Sequence, residues 1–307
     1  MKDYQLFLNA ILENIKLKDA FHFKKVNRNV HFLDHAYPED FNNLQELIYN
    51  YFKAINISAE TIAVDYVKMI HDMRKEGKYF YKYGTYRCKN QSEAYENVYS
   101  KAEVMSYYMN ALLISQILWK HHFETFMFFK KEMKTVISQK ENLRILDVGP
   151  GHGFFSFIIK KEFPNYEKLE IVDISETSLS MTQKILGYDG NKINYHHQDI
   201  FNYPDTEKYD FIVLGEVIEH LDEPILILKK LFDLLNDDGI LWITTPTNSP
   251  ALDHVYLFNT KNDVIILLEA SGLQICSVSS FFSEDVDLDT ALKIKATNLV
   301  GVFCKNN

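Results

Sequence analysis

Two stretches of the 307-residue chain combine residue types and spacings that can do chemistry. In the first, Gly149, Gly151 and Gly153 alternate with other residues, and Asp147 precedes them. Glycine lets the backbone turn sharply and lets a ligand approach main-chain atoms closely. The apolar residues after the turn predict a helix, whose first N–H groups are unpaired and lie at its positive end. The turn therefore predicts a site for a polar cofactor, and the carboxylate of Asp147 favours a ligand with cationic groups.

The second stretch places Glu216, Glu219 and His220 at spacings of three and four residues. If this segment is helical, the three side chains share one face. His254, which follows a later strand, is predicted to reach that face. Carboxylates and imidazoles together are ligands for divalent metals, so these four residues predict a metal site with Mg²⁺ as the expected ion. His220 and His254 are also candidates for a general base.

Both stretches need a parallel sheet to position them. Apolar runs bounded by turns predict strands over residues 143–148, 169–173, 193–196, 209–215, 240–244, 273–281 and 293–303. In such a sheet, ligands bind in the crevice beyond the carboxyl ends of the strands. Asp173 ends the second strand and follows Gly149 by 24 residues, where a nucleotide-binding fold places its acceptor for the ribose hydroxyls. Asp199 follows the third strand.

The residues from Asp147 to Gly153 match the pattern (D/E)-x-G-x-G-x-G. In this pattern, and in the order of acids and strands after it, the chain resembles the class I S-adenosylmethionine-dependent methyltransferases over about residues 143–303. The resemblance implies an α/β fold, a Rossmann-like seven-stranded methyltransferase sheet with an all-helical N-terminal cap. It implies S-adenosylmethionine as the cofactor. The residues that it places around the cofactor are Asp147, Gly149, Gly151, Gly153, Asp173, Ile174, Asp199, Ile200, Gly215 and Glu216.

The E-x-x-E-H segment with its later histidine is similar to two methyltransferase families. They are the ubiquinone-biosynthesis O-methyltransferases and the small-RNA terminal 2′-O-methyltransferases, in which a metal binds adjacent hydroxyls and lowers the pKa of the one to be methylated. The resemblance carries this role to Glu216, Glu219, His220 and His254. The same segment also occurs in class I methyltransferases that need no metal. In those enzymes the residue matching Glu216 lies near the cofactor and the one matching His220 packs, so both interpretations remain open.

The first half of the chain is predicted to be helical, which divides the protein into a cap or substrate lid (residues 1–139) and a cofactor-binding catalytic domain (140–307). One predicted helix begins after Ser58, where serine suits an N-cap, and ends at Gly77. The segment 105–119 is apolar almost all round and predicts a buried helix. Tyr107 on it is a candidate catalytic residue, because a tyrosine ring attracts a sulfonium and its hydroxyl orients a substrate. The N-terminal helices also offer a surface for a homodimer.

The net charge, the apolar runs and the cysteines limit the classes of substrate and the cellular compartment that we expect. The formal net charge of −9 argues against a nucleic-acid substrate, because phosphate binding needs a basic face. No apolar run approaches the length of a membrane span. The three cysteines lack metal-ligand spacing and favour a reducing compartment. We therefore expect a soluble, cytoplasmic protein that acts on a small molecule.

The function predicted from these features is S-adenosylmethionine-dependent O- or N-methylation of a small metabolite, with secondary metabolism as one setting. Two alternatives remain open. In the first, S-adenosylmethionine is itself the substrate, and its amino nitrogen attacks its own γ-carbon to close an azetidine ring and release methylthioadenosine. In the second, the protein is a non-catalytic subunit that binds the cofactor.

Overall fold

The computed structural model describes residues 1–137 and 140–306. Its centre is a seven-stranded sheet with the strand order β3-β2-β1-β4-β5-β7-β6. The strands are β1 (Arg144–Val148), β2 (Lys168–Asp173), β3 (Ile193–His197), β4 (Tyr209–Gly215), β5 (Leu235–Thr247), β6 (Leu273–Phe282) and β7 (Asn298–Asn306). The first five are parallel, and β7 runs antiparallel to both β5 and β6. The predicted α/β sheet is confirmed.

The strand order reverses between β1 and β4, which are parallel neighbours in the sheet: β2 and β3 lie on one side of β1, and β4 and β5 lie on the other. In open α/β sheets the crevice for ligands opens at this switch point, because the connections leave to opposite sides of it. Both strands are apolar runs with nearly every side chain buried, as expected for strands that are covered on both faces. The glycine-rich turn follows β1, and the segment with Glu216 follows β4.

In the residues that the structure describes, seven helices precede β1, and a π-helical turn (Tyr95–Tyr99) lies among them. They are α1 (Asp3–Lys18), α2 (Ala20–Ala36), α3 (Pro38–Ala54), α4 (Ala59–Tyr83), α5 (Gln91–Ala94), α6 (Ala102–Leu118) and α7 (Lys120–Ile137). The later helices are α8 (Phe154–Glu162), α9 (Glu176–Leu186), α10 (Pro224–Leu234), α11 (Lys261–Ala270) and α12 (Leu288–Lys293). In the part of the chain that the structure describes, no helix is both long and apolar enough to cross a membrane.

The cap and the sheet share one hydrophobic core. Helix α7 lies on β6 and β7, where Phe129 packs against Trp242 and stacks on Phe303. Helix α6 is buried along most of its length between α4, α7 and α9, so its apolar surface is covered within one chain. The homodimer stays a prediction, and exposed Leu17 and Phe21 mark the surface available to it. Residue 139, the predicted end of the cap, lies outside the described residues.

Two local predictions need correction. Helix α4 does not end at Gly77; it continues to Tyr83 and ends at Gly84, whose φ of 71° suits a C-terminal cap. The last strand begins at Asn298 rather than at residue 293, since Leu288–Lys293 is helical. The acidic segment before that helix forms ion pairs with the cap. Glu284 pairs with Lys25 at 2.5 Å and Asp285 with Lys120 at 3.3 Å, so the segment is tied to α2 and α7.

Two glycines give a matched test of this packing. A Cβ on Gly301 would lie 2.6 Å from Cη2 of buried Trp242, whereas one on Gly77 would meet only Cγ of Pro250, at 3.9 Å. We expect Gly301→Ala to lower the free energy of unfolding by about 1–3 kcal/mol through overpacking. Gly77→Ala should raise it by about 0.5–1 kcal/mol, because alanine is favoured in a helix interior. Urea unfolding of both variants measures the two effects, and equal changes would contradict the described packing.

Candidate functional site

A cavity of about 560 Å³ lies at the carboxyl ends of β1, β2 and β4, beneath α6 and the π-helical turn. Its volume is in the range of small-molecule sites. Eight of the ten predicted cofactor residues line it, namely Asp147, Gly149, Gly151, Asp173, Ile174, Asp199, Gly215 and Glu216. Gly153 and Ile200 are not among the lining residues. The cavity also contains Glu219, His220 and His254, so both stretches singled out in the sequence meet in one place.

The glycine-rich turn is built from residues in the left-handed backbone region. Gly149 has a φ of 66°, and a Cβ there would lie 2.6 Å from a methyl of Val217. Gly153 has a φ of 72°, and its missing Cβ leaves room for the backbone of Thr182 on α9. Gly153 therefore lets α8 and α9 pack closely and does not form part of the cavity wall. Ile200 is buried in a hydrophobic cluster that is separate from the core shared with the cap and that also contains Tyr203 and Ile227.

Two buried carboxyl groups face the turn. Asp147 is 1 % exposed and accepts a hydrogen bond from Ser156 Oγ at 2.6 Å. Burial raises the pKa of Asp147 to about 7, and the charge of Asp173 adds to the effect. Burial likewise raises the pKa of Asp173 to about 6, against the hydrogen bond that it accepts from the Ser175 amide. Such carboxyl groups suit a ligand with a cationic group or with hydroxyl groups. The ligand then provides the positive charge or the hydrogen-bond donors that replace the water lost on burial.

The segment after β4 is not one helical face. Glu216 has a φ of 56°, and Glu219 and His220 lie in a short 3₁₀ turn (Ile218–His220). A non-glycine residue in the left-handed region is strained and is typical of functional sites. Ligand atoms of Glu219, His220 and His254 lie within 4.8 Å of one another, and Glu216 is not part of this group. The structure thus assembles three of the four predicted metal ligands.

The two imidazoles are oriented by backbone carbonyls. Nδ1 of His220 donates to the carbonyl of Asp253 at 3.0 Å, and Nδ1 of His254 donates to that of Ser249 at 2.6 Å. Since a carbonyl oxygen only accepts, Nδ1 of each ring carries a proton, which leaves Nε2 as the ring nitrogen available to a ligand. Burial lowers the pKa of His254 to about 4, so this ring is neutral near pH 7.

Glu219 completes this group. Its Oε2 accepts from Thr245 Oγ1 at 2.9 Å, while its Oε1 is buried and has no hydrogen-bond partner among the described residues. Burial and neighbouring Glu216 raise the pKa of Glu219 well above its usual range. Two imidazole Nε2 atoms and a carboxyl oxygen without a hydrogen-bond partner among the described residues fit a divalent metal, and the hydrogen bonds to backbone carbonyls match the usual support of metal-ligating histidines. The donor set suits Zn²⁺ or Fe²⁺ better than the expected Mg²⁺, which prefers oxygen ligands.

Tyr107, the predicted catalytic tyrosine, does not line the cavity. Its hydroxyl donates to Asp72 on α4 at 3.0 Å, and Nζ of Lys68 lies 3.6 Å from its ring centroid. The next residue, Tyr108, faces the cavity instead and donates to Asp253 at 3.5 Å. Neighbouring positions on a helix point about 100° apart, so Tyr108 faces the cavity and Tyr107, on the same helix, does not.

Sequence reasoning missed a buried carboxylate with two tyrosine donors. Asp253 is 2 % exposed and accepts from Tyr99 at 2.9 Å as well as from Tyr108. Tyr99 comes from the π-helical turn, and such turns are frequent at functional sites. One available signal was the position of Asp253 directly before His254, in a loop at the carboxyl end of β5. Gln116 also lines the cavity, with its amide 3.1 Å from Nδ1 of His122.

A second cavity, of about 360 Å³, lies between the cap and the loops that follow β5 and β6. Three residues, His122, Glu216 and Leu299, line both this cavity and the first one. The two cavities are therefore separated only by a thin wall of side chains. The outer walls of the second cavity come from α2, α4 and the junction of α6 with α7, which includes Trp119.

Residues 118–274 match the family model described as a methyltransferase domain. Since this match spans half of the chain, the protein belongs to that family, and the resemblance to class I S-adenosylmethionine-dependent methyltransferases is confirmed.

Among curated relatives, malonyl-[acyl-carrier protein] O-methyltransferase 1 of Ilyobacter polytropus is 33% identical over 110 residues, which are 36% of this chain and 40% of the relative. The ubiquinone biosynthesis O-methyltransferase of Actinobacillus pleuropneumoniae serotype 7 is 29% identical over 119 residues, 36% of this chain and 50% of the relative. The alignments thus span half or less of each relative. Among solved structures, the N-methyltransferase NodS of Bradyrhizobium japonicum WM9 with S-adenosyl-L-homocysteine matches 70% of this chain and 98% of its own, with 15% identity and a TM-score of 0.49.

Asp147 offers a test of the electrostatics. Its raised pKa means that the folded state binds its proton more tightly than the unfolded state, so stability is lost as the pH rises from about 4 to about 7. Asp147→Asn keeps the acceptor for Ser156 and removes the titration. We expect the variant to gain stability over the wild type across that pH range, by up to about 4 kcal/mol at pH 8. Urea unfolding without ligand at several pH values measures this gain, and parallel pH profiles would contradict it.

Proposed function

We propose that the protein binds S-adenosylmethionine in the 560 Å³ cavity and transfers its methyl group to a small-molecule acceptor. The observation that supports this proposal is the convergence of Asp147, Asp173 and Asp199 with the glycine-rich turn on one cavity at the switch point of the sheet. These acids follow three successive strands, β1, β2 and β3. The parallel sheet places the carboxyl ends of these strands side by side, so the fold itself brings the three acids together.

Each part of the cofactor has a proposed partner. Asp173 accepts from the ribose hydroxyls, and Asp199, after β3, accepts from the adenine amino group. The turn at Gly149 and Gly151 holds the methionine portion against the sheet, and Asp147 favours its positive end. The methyl group then lies toward the end of β4, where Glu216 lines the cavity.

Methyl transfer is an in-line displacement at the methyl carbon. The acceptor's lone pair forms the new bond while the carbon–sulfur bond breaks, and the cofactor leaves as a neutral thioether. The protein contributes mainly alignment and exclusion of water. A hydroxyl or ammonium acceptor must also lose a proton. In the absence of a metal, Nε2 of His220, which lines the cavity, can accept that proton, whereas the low pKa of His254 makes that ring a weak acceptor near pH 7.

We also propose that Glu219, His220 and His254 hold a divalent metal. When bound, a metal lowers the pKa of a coordinated hydroxyl and so favours O-methylation. Glu216 is left out of this proposal, because its carboxylate is not within the group of clustered ligand atoms.

Cofactor binding is tested with Asp173→Asn. Replacing the carboxylate with an amide removes charge-assisted hydrogen bonds worth about 1.5–3 kcal/mol, so we expect S-adenosylmethionine to bind about 10- to 100-fold more weakly by calorimetric titration. The control is Asp233→Asn, at an exposed acid near the end of α10. Equal affinity of the two variants would overturn the site assignment.

The reaction itself is tested by mass spectrometry of the adenosine products, first without an acceptor and then with panels of alcohols, amines and carboxylic acids. We expect S-adenosylhomocysteine to form only when an acceptor is present. Methylthioadenosine without an acceptor would overturn methyl transfer in favour of cyclisation of the cofactor itself. Tight binding without turnover on any panel would favour a non-catalytic subunit.

The metal proposal is tested by titrating Zn²⁺ and Mg²⁺ into wild-type protein and into His254→Asn. We expect Zn²⁺ to bind more tightly than Mg²⁺ and the variant to lose at least tenfold in Zn²⁺ affinity, as loss of a ligand should cause. His35→Asn, at an exposed histidine on α2, is the control. A Zn²⁺ affinity that does not depend on His254 would contradict the site.

A further inference from the structure

We propose that the second cavity is the acceptor chamber and that it takes an acceptor carrying a carboxylate or a similar small anionic group. This inference rests on the proposed methyl transfer and adds a binding site and a substrate class to it. The acceptor's anionic end lies near Lys25 and Arg74, and its nucleophilic end reaches the wall formed by His122, Glu216 and Leu299.

The first argument is the position of the second cavity. Its wall toward the first cavity includes Glu216, which follows β4 and lies where the methyl group of a bound cofactor is proposed to be. Its volume of about 360 Å³ is enough for a small organic molecule. Because in-line displacement needs contact with the methyl carbon, the nucleophilic end of an acceptor held in this chamber has to pass between His122, Glu216 and Leu299 to reach the cofactor.

The second argument is the distribution of charge. The residues that line the first cavity include seven acids and neither lysine nor arginine: Glu96, Asp147, Asp173, Asp199, Glu216, Glu219 and Asp253. An anionic group would find no cationic side chain there. Lys25 and Arg74 line the second cavity, and they are the only lysine and arginine among the described residues that line either one. A molecule with an anionic end is thus directed to the second cavity.

The third argument is that these cations are held by exchangeable partners. Lys25 pairs with Glu284 at 2.5 Å, and the two side chains are 33% and 42% exposed. Arg74, with a side chain 42% exposed, pairs with Asp19. Exposed ion pairs contribute little stability. The free-energy cost of breaking the pair between Lys25 and Glu284 is therefore small, and a carboxylate of the ligand can take the place of Glu284. Glu284 itself lines the cavity, and it marks the place of the ligand's anionic group.

The inner surface suits the remainder of such a molecule. Trp119 and Tyr81 provide flat apolar faces, and His22, His121 and His122 provide neutral imidazoles. Burial lowers the pKa of His22 to about 4 and that of His122 to about 3. These rings therefore act as hydrogen-bonding groups rather than as cations, which leaves Lys25 and Arg74 as the anion-recognising groups.

Trp119 makes this proposal measurable. The chain has two tryptophans, and the other, Trp242, is fully buried between the sheet and α7. Benzoate is the probe, with benzylamine and benzyl alcohol as cationic and neutral probes of the same shape. We expect benzoate to change the tryptophan fluorescence saturably and to bind at least tenfold more tightly than the other two. Trp119→Phe should abolish the signal. Equal binding of the three probes, or no benzoate signal from wild type, would overturn the proposal.

Charge variants locate the anionic group. We expect Lys25→Gln to weaken benzoate binding about tenfold and the matched exposed control, Lys24→Gln, to leave it unchanged. Glu284→Gln should strengthen benzoate binding several-fold, because it removes the competing carboxylate, whereas a merely structural ion pair would not give this increase. No difference between Lys24→Gln and Lys25→Gln, or weaker binding to Glu284→Gln, would overturn the assignment.

Titration of S-adenosylmethionine into the same preparations separates the two proposals. We expect its affinity to be unchanged in Lys25→Gln, Lys24→Gln and Glu284→Gln. If wild-type protein binds benzoate as predicted but does not bind S-adenosylmethionine, the proposed function fails and the anion-binding chamber remains. If it binds S-adenosylmethionine and not benzoate, the chamber fails and the cofactor site remains. With an acceptor identified from the carboxylic-acid panel, Lys25→Gln should raise KM and leave kcat unchanged; the reverse pattern would contradict a binding role.

Discussion

The burial of α6 is the constraint on which the rest of the architecture depends. This helix is apolar on nearly every side, so it has to be enclosed by other elements, and α4, α7 and α9 enclose it. Its cavity-facing residues include Met109, whose sulfur would lie 3.8 Å from a Cβ on Gly151. The same contacts that complete the hydrophobic core therefore hold the cap against the glycine-rich turn. Separation of the cap from the sheet would expose both the helix and the site.

The site is made of groups that disfavour folding when they lack a ligand. Asp147 and Glu219 are buried carboxyl groups with raised pKa values, and Glu216 has a strained backbone conformation. Such arrangements persist only where the surrounding structure holds them, and here the central strands and α6 do so. A preorganised binding site requires that strained and buried polar groups are held in place before the ligand binds. Here the apolar packing of the central strands and α6 holds them.

The sequence was sufficient for the parts of the fold that follow from local rules. The glycine-rich turn, the strands from β1 to β4 and the acids at their ends lie where periodicity and spacing place them. The segment at Glu216 does not form the helical face that its spacing allows, because spacing alone does not reveal a left-handed residue. Tyr107 was chosen over Tyr108 because rotation about a helix axis depends on what packs against it. Asp253 stands out because Tyr99 donates a hydrogen bond to it. Tyr99 is distant in sequence, and no local pattern links the two residues.

The elements over the first cavity differ greatly in how firmly they are held. Helix α6 is enclosed, but α5 and the π-helical turn are short, and several of their side chains are exposed. The amide of Gln91 bonds to Asp222 in the segment after β4 at 3.1 Å, which ties this strap across the opening. This nine-residue strap is the least buried part of the roof, and weakly buried segments are the ones that open at the lowest free-energy cost. Access to the first cavity can therefore change without any rearrangement of the hydrophobic core that encloses α6, as in enzymes whose short loops open to release product.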